Sequence, residues 1–183
     1  AQIGGMLSPM ELMEIASTIR ASRILRNFID DIESEGDISI PHFLERKEQL
    51  PVLTGLQHEI NDCIDENGAV LDSASSALRS IRQSLRSEEA KVRGKLESLI
   101  RGSNAAKMLS DAIITIRNDR FVIPVKQEYR GHYGGIVHDQ SSSGQTLFIE
   151  PDAVVQANNE VQRLKVKEQA EIERILLELS AKV

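Results

Sequence analysis

His132 and His138 stand six residues apart, with Asp139 beside the second, in a chain of 183 residues. Two imidazoles and a carboxylate are the groups that hold a metal ion or move protons near neutral pH. A metal site needs a third ligand at defined spacing, and none is defined here, so both histidines read as polar surface positions. Ser141, Ser142 and Ser143 follow and complete the residue types of a hydrolytic triad. Adjacent strand residues point to opposite faces, however, so His138 and Asp139 cannot pair as base and orienting acid. Gly94-Lys95 lacks the upstream glycine of a phosphate loop and falls inside a helical pattern. Gly131, Gly134, Gly135 and Gly144 lie between strand patterns rather than at the start of a helix, which suits tight turns. Asp65-Glu66-Asn67-Gly68 lacks the ligand spacing and closing glutamate of a calcium loop and reads as a turn. The single Cys63 allows no internal disulfide, fits a reducing cytosol, and reads as a small core residue. No catalytic residue and no metal ligand set is assigned.

The elements around these residues are mostly helical. Ser8-Pro9-Met10-Glu11 is a helix start, with Ser8 as N-cap, Pro9 in the first turn and Glu11 placed to complete a capping box. Leu12, Ile15, Ile19, Ile24, Leu25, Phe28, Ile29 and Ile32 follow at helical period up to Gly36. Short helices are expected over 41–50, before a restart at Pro51, and over 55–65. A long helix then runs from an N-cap at Asp72 or Ser73 to about Arg101, stopped by Gly102. Its apolar residues, Leu78, Ile81, Leu85, Val92, Leu96 and Leu99, keep three- and four-residue steps if Glu88 fills one place. That spacing makes a seam for one partner helix rather than a broad core face. After a further helical turn the pattern switches to alternation. Ile113–Arg117 and Arg120–Lys126 flank Asn118-Asp119 as a hairpin, and Gly135–Asp139 and Thr146–Glu150 form a second pair. Pro124 inside a strand implies an edge or a bulge. Beyond Pro151 a second long helix carries a seam of Val161, Leu164, Ile172, Ile175 and Leu179, and it reaches Val183 with no stop signal, so it reads as cut short there.

These patterns give a mainly α chain with a small antiparallel β module, arranged as an elongated helical lever whose long antiparallel helices carry the module at the tip. Residues 1–72 form a helical core region, 73–110 an ascending helix, 111–151 the β module and 152–183 a returning helix. Only 3% of the residues are aromatic and none is Trp, which suits a thin helical assembly better than a compact globule. No apolar run is long enough to span a membrane, and Ala1-Gln-Ile-Gly-Gly does not open a signal peptide, so a cytoplasmic chain is expected.

The net charge of −6 excludes a nucleic-acid binder that uses its whole surface. Its distribution is more specific. Residues 112–150 hold Arg117, Arg120, Lys126 and Arg130 against Asp119, Glu128, Asp139 and Glu150, so the β module is neutral and the rest carries the whole deficit. With His132, Tyr133 and His138 beside these cations, the module can lie along a phosphate backbone with little base reading. The candidate contact residues are Lys126, Arg130, His132, Tyr133 and His138, with Arg117 and Arg120 behind them. A protein-contact role for the same module is the alternative.

The stretch Arg117–Pro151, RNDRFVIPVKQEYRGHYGGIVHDQSSSGQTLFIEP, followed by DAVVQANNEVQRLK, is distinctive. It closely resembles the bacterial MutS-type family, in the recombination-suppressing and ribosome-rescue branch with a C-terminal small MutS-related nuclease domain. LDSASSALRSIRQSLR and LSPMELMEIA upstream resemble the core and lever region of that family. The resemblance implies that the β module is a clamp and the long helices a lever. It implies partners in branched or duplex DNA and in stalled ribosomes, and a homodimer when the protein is full-length. It also implies an ATPase domain, with ATP and Mg²⁺, that this chain lacks along with the nuclease domain. No cofactor and no turnover are therefore expected of these 183 residues, and no family catalytic residue maps onto them.

Overall fold

The computed structural model describes residues 5–35, 41–50 and 52–183. The expected stop at Gly36 and restart at Pro51 lie outside the described residues. The chain is mainly α with one small antiparallel sheet, and its contacts divide it into two units: Ala1–Arg79 with Ala170–Val183, and Ser80–Gln169. The segments 73–110 and 152–183 each contribute to both units.

In the first unit, α1 (Pro9–Glu35), α2 (Pro41–Glu48) and α3 (Thr54–Cys63) are joined by the last part of the C-terminal helix. The capping box at the start of α1 forms as read: Ser8 N–H and Oγ donate to Glu11 Oε2, both at 2.8 Å, and Glu11 N–H donates to Ser8 Oγ at 3.3 Å. The Ser8 donors stabilise the charged Glu11 carboxylate and hold it below the usual range. Leu12, Ala16, Ile60, Ile64, Val70, Leu78, Ile175, Leu176 and Leu179 make the core, with Cys63 packed against it. Burial raises the pKa of the Cys63 thiol, which fits the packing role. Ile24, Leu25 and Phe28 keep the helical period but are 46–59% exposed, so the apolar stripe of α1 is buried only in part. At 65–68 the turn is closed by Asp65 Oδ1, which accepts from Asn67 N–H at 2.9 Å and Ala69 N–H at 2.8 Å, with Gly68 at φ +79°.

Helix α4 (Ser76–Ile100) starts later than the sequence suggests. Asp72–Ala74 form a 3-10 turn, and the cap is Ser75, whose Oγ accepts from Leu78 N–H at 2.9 Å. Four cap-forming residues crowd this stretch, and Ser75 is the one in extended conformation next to the helix (φ −154°, ψ 156°). In the second unit, α4 and α7 (Asp152–Ser180) run antiparallel: Arg82 Nε meets Glu168 Oε1 at 2.6 Å, and Lys95 Nζ donates to Ala153 O at 3.1 Å. Burial follows the seams, with Leu78, Val92 and Leu96 at or near zero exposure on α4 and Val154, Asn158, Val161 and Leu164 buried on α7. One of these seam residues is polar.

The sheet has four strands in the order β1 (Thr115–Arg117), β2 (Arg120–Lys126), β4 (Thr146–Glu150), β3 (Ile136–Gln140). Asn118 and Asp119 take positive φ, 49° and 59°, as a two-residue hairpin turn of the primed type requires. β2 is interior, so Pro124 is not on an edge strand, yet the physical expectation survives locally. β1 covers only 120–122, and Pro124 O accepts from Ser110 N–H at 3.0 Å on the side away from β4. A strand residue directs its N–H and C=O to one side, so the missing donor of Pro124 removes no β2–β4 bond. Phe121, Ile123, Val125, Leu147 and Ile149 pack one face of the sheet onto Val92, Leu96, α5 (Ala105–Met108), Val154 and Val161.

Candidate nucleic-acid interface

Two glycines of the β module, Gly134 and Gly135, are close-approach points. Gly134 and Gly135 have φ +60° and +79°, and a Cβ on Gly135 would stand 1.9 Å from Glu150 O. Only a residue without a side chain lets this loop pass the end of β4. The residues before it, Gln127–Tyr129 and α6 (Arg130–Tyr133), form two short helical turns where the sequence suggested turns alone.

Glu150, at the end of β4, is fully buried and organises the module. Its Oε1 accepts from Asn158 Nδ2 at 2.9 Å and from Arg120 NH1 at 3.2 Å, and its Oε2 lies 2.6 Å from His138 Nε2. A carboxylate removed from water is tolerated only when its lone pairs are met in this way. Asn158, 1% exposed, also accepts from Phe121 N–H at 3.3 Å and donates to Phe121 O at 3.1 Å. The reason lies in the register. β2 and β4 pair from Ile123↔Ile149 onward, so the next partner of Phe121 would be Pro151, which has no N–H and turns the chain into α7. The amide of Asn158 replaces the strand that is missing there.

Phe148 shares the Glu150 face of β4; Arg117 stacks over its ring at 4.1 Å and reaches Asp139 Oδ2 at 3.0 Å. Asn118 Nδ2 donates to His138 O at 3.0 Å. Both contacts bring β1, on one edge, against β3, on the other, so the sheet is curled. The register of β3 against β4 shifts between Val137 and Asp139, so regular alternation breaks at His138, which meets Glu150 while Asp139, opposite Phe148, meets Arg117.

The candidate residues therefore separate into two groups. Arg117, Arg120 and His138 are bound within the module, Arg120 also donating to Asn159 Oδ1 at 2.7 Å. His138, with 15% of its side chain exposed, is thus no surface position: its partner Glu150 is twelve residues away in sequence. Facing solvent are Arg130 and His132 on α6, and the Arg130 side chain makes no hydrogen bond or ion pair among the described residues. His132 meets the Tyr133 ring edge-on at 5.0 Å, and burial raises the pKa of the Tyr133 phenol. Lys126 Nζ donates to Lys107 O at 2.9 Å, and Lys107 Nζ lies 5.9 Å from the centre of the Tyr129 ring. Lys107 and Tyr129 thus join Lys126, Arg130 and His132 around Gln127–Tyr133, which the linear spacing did not reveal. Asn158 was missed as well; its one signal was a polar residue on a seam step between Val154 and Val161.

Gly94 is inside α4, Lys95 is held by Ala153 O, and no group of three acidic, histidine or cysteine side chains among the described residues converges on a metal position. No helix among the described residues is long and apolar enough to cross a membrane.

The chain is mainly α with a small antiparallel four-stranded sheet, the fold class expected from its sequence. No family model matches the chain. Individual relatives do. It is 62% identical over 181 residues, 99% of its length, to a protein named endonuclease MutS2 from Geobacillus sp.. It is 59% identical over 183 residues to endonuclease MutS2 of Halalkalibacterium halodurans. It is 56% identical over 182 residues to a protein of Bacillus subtilis named putative endonuclease MutS2. The chain spans 23% of the length of each of these relatives. The resemblance first read at Arg117–Pro151 thus extends from end to end, and the chain corresponds to one segment of MutS2-type proteins.

Proposed function

We propose that this segment is the core, lever and clamp region of a MutS2-type protein, and that its β module contacts nucleic-acid phosphates through the surface around Gln127–Tyr133. The observation that carries the reading is the solvent-facing group of Arg130 and His132, with Lys126 and Lys107 nearby, on a neutral module of an otherwise acidic chain. Cations without an internal partner are available for phosphate. Arg117, Arg120 and His138 act behind this surface by holding the module's shape, and Tyr133 seats α6 against the core. The long helices would pass a nucleotide-driven movement from an ATPase domain elsewhere in the polypeptide to the module, since paired helices are stiff. ATP, Mg²⁺, dimerisation and nuclease activity belong in this proposal to other parts of the full-length protein, and these 183 residues have no turnover of their own.

Duplex DNA, branched DNA and ribosomal subunits titrated against the chain at several salt concentrations test the proposal. Phosphate contacts predict a slope of roughly −0.9 per contact in log K against log salt on duplex DNA. Ranking the three ligands identifies the main partner. A second reading, docking on protein, is favoured by Ile113, Ile116 and Ile136, which are 46–49% exposed on the same module. It predicts binding to ribosomal protein or to a partner protomer with little salt dependence.

A further inference from the structure

The first unit contains an open groove of about 600 Å³ between α1 and α3. Arg20 and Arg23 line it from α1, Gln57 and Asn61 from α3, and Asp65 and Glu66 from the turn beyond. Neither arginine side chain makes a hydrogen bond or ion pair among the described residues. Gln57 is 5% exposed, and its Oε1 is buried without a donor. A buried amide oxygen that has lost water and gained no partner is a standing penalty, and such groups are rare in folded chains. Rotation of the terminal amide toward the groove would relieve it, provided something in the groove supplies an N–H or O–H.

We propose that this groove is a docking site for a polypeptide segment that brings a carboxylate to Arg20 and Arg23 and a donor to Gln57. The charge of the lining decides the class of occupant. Two arginines are offset by two carboxylates, so a polyanion would meet Asp65 and Glu66 as well as the cations. The site needs acceptors on one side and donors on the other, which main-chain N–H and C=O groups with one acidic side chain supply together. Arginine forks hold such a carboxylate in two parallel bonds. The volume lies in the range of ligand-sized clefts. The occupant we assign is a segment of the same polypeptide as the relatives carry it, because the region matched here is only 23% of their length. This assignment is independent of the role of the β module.

Overlapping labelled peptides covering the remaining sequence of the Bacillus subtilis relative, titrated against the 183-residue chain by fluorescence anisotropy, provide the test. The expected result is one contiguous group of acid-containing peptides that binds. The double variant R20E/R23E should weaken that binding at least tenfold with unchanged circular dichroism, and replacing the peptide's acidic residue by Lys should restore it. Gln57→Leu should weaken binding while raising Tm, since it removes the unmet oxygen. Absence of any binding peptide, or binding unchanged in R20E/R23E, would overturn the assignment. So would self-association of the chain that R20E/R23E abolishes, which would make the occupant a second copy, or loss of duplex DNA binding in the same variant.

Discussion

Replacing Asn158 by Ala tests how the β module is fastened to α7. The substitution removes the two bonds to the main chain of Phe121 and the bond to Glu150. Phe121 is 4% exposed and has no alternative strand partner on that side, so its N–H and C=O become unmet. Each buried polar group left without a partner costs about 1–3 kcal/mol, which sets the expected loss at about 2–6 kcal/mol. Water entering the vacated space would keep it near the lower end. For a chain of this length, a loss of about 3 kcal/mol lowers Tm by about 6–12 °C. Urea unfolding followed by circular dichroism measures the total, and hydrogen exchange at the Phe121 amide locates it. Asn158→Asp should be no milder, because it keeps the acceptor, loses the donor and sets a second carboxylate beside Glu150. A loss under about 0.5 kcal/mol, the scale of ordinary surface substitutions, with unchanged exchange at Phe121 would refute the reasoning.

Three further outcomes follow from other parts of the structure. Ser8→Ala should cost about 1 kcal/mol in thermal unfolding by opening the capping box at α1. Gly135→Ala should destabilise far more than Gly144→Ala: both have positive φ, but a Cβ at 135 meets Glu150 O at 1.9 Å and one at 144 meets nothing within 4 Å. Bonds from Arg174 and Ser75 lower the pKa of Glu171 to about 2, so its charged form belongs to the folded state. Its contribution is therefore complete above the ordinary glutamate value of 4.5 and is lost as pH falls toward 2; Glu171→Gln should flatten the acid-unfolding profile in that window.

Much of the architecture was legible because it rests on local rules. Ser8 and Glu11 specify a cap within one turn, Asn118-Asp119 a primed turn, and the steps from Leu78 to Leu99 and from Val161 to Leu179 a buried seam. The site was less legible because its decisive contacts are not local. Arg117, Arg120 and His138 are a cationic cluster in sequence, but Asp139 lies 22 residues from Arg117, and Glu150 lies 30 from Arg120 and 12 from His138. Asn159 lies further still from Arg120, 39 residues along the chain. Asn158 showed only as a polar residue on a seam step for the same reason: its function depends on Pro151 ending a strand pairing that Phe121 still needs. The start of α4 escaped because Asp72, Ser73, Ser75 and Ser76 can all cap, and the choice depends on the 3-10 turn and on Glu171 accepting from Ser75 at 2.7 Å.

The exposed cations around Gln127–Tyr133, rather than those held by Asp139 and Glu150, are the groups we propose to meet nucleic acid. The most direct measurement is the salt dependence of duplex DNA binding by the chain and by its Arg130→Ala and Lys126→Ala variants. Arg130→Ala should bind more weakly, with a slope in log K against log salt smaller by about one, since one phosphate contact is lost. Lys126→Ala should act in the same direction. Affinity and slope unchanged in both variants would contradict this proposal.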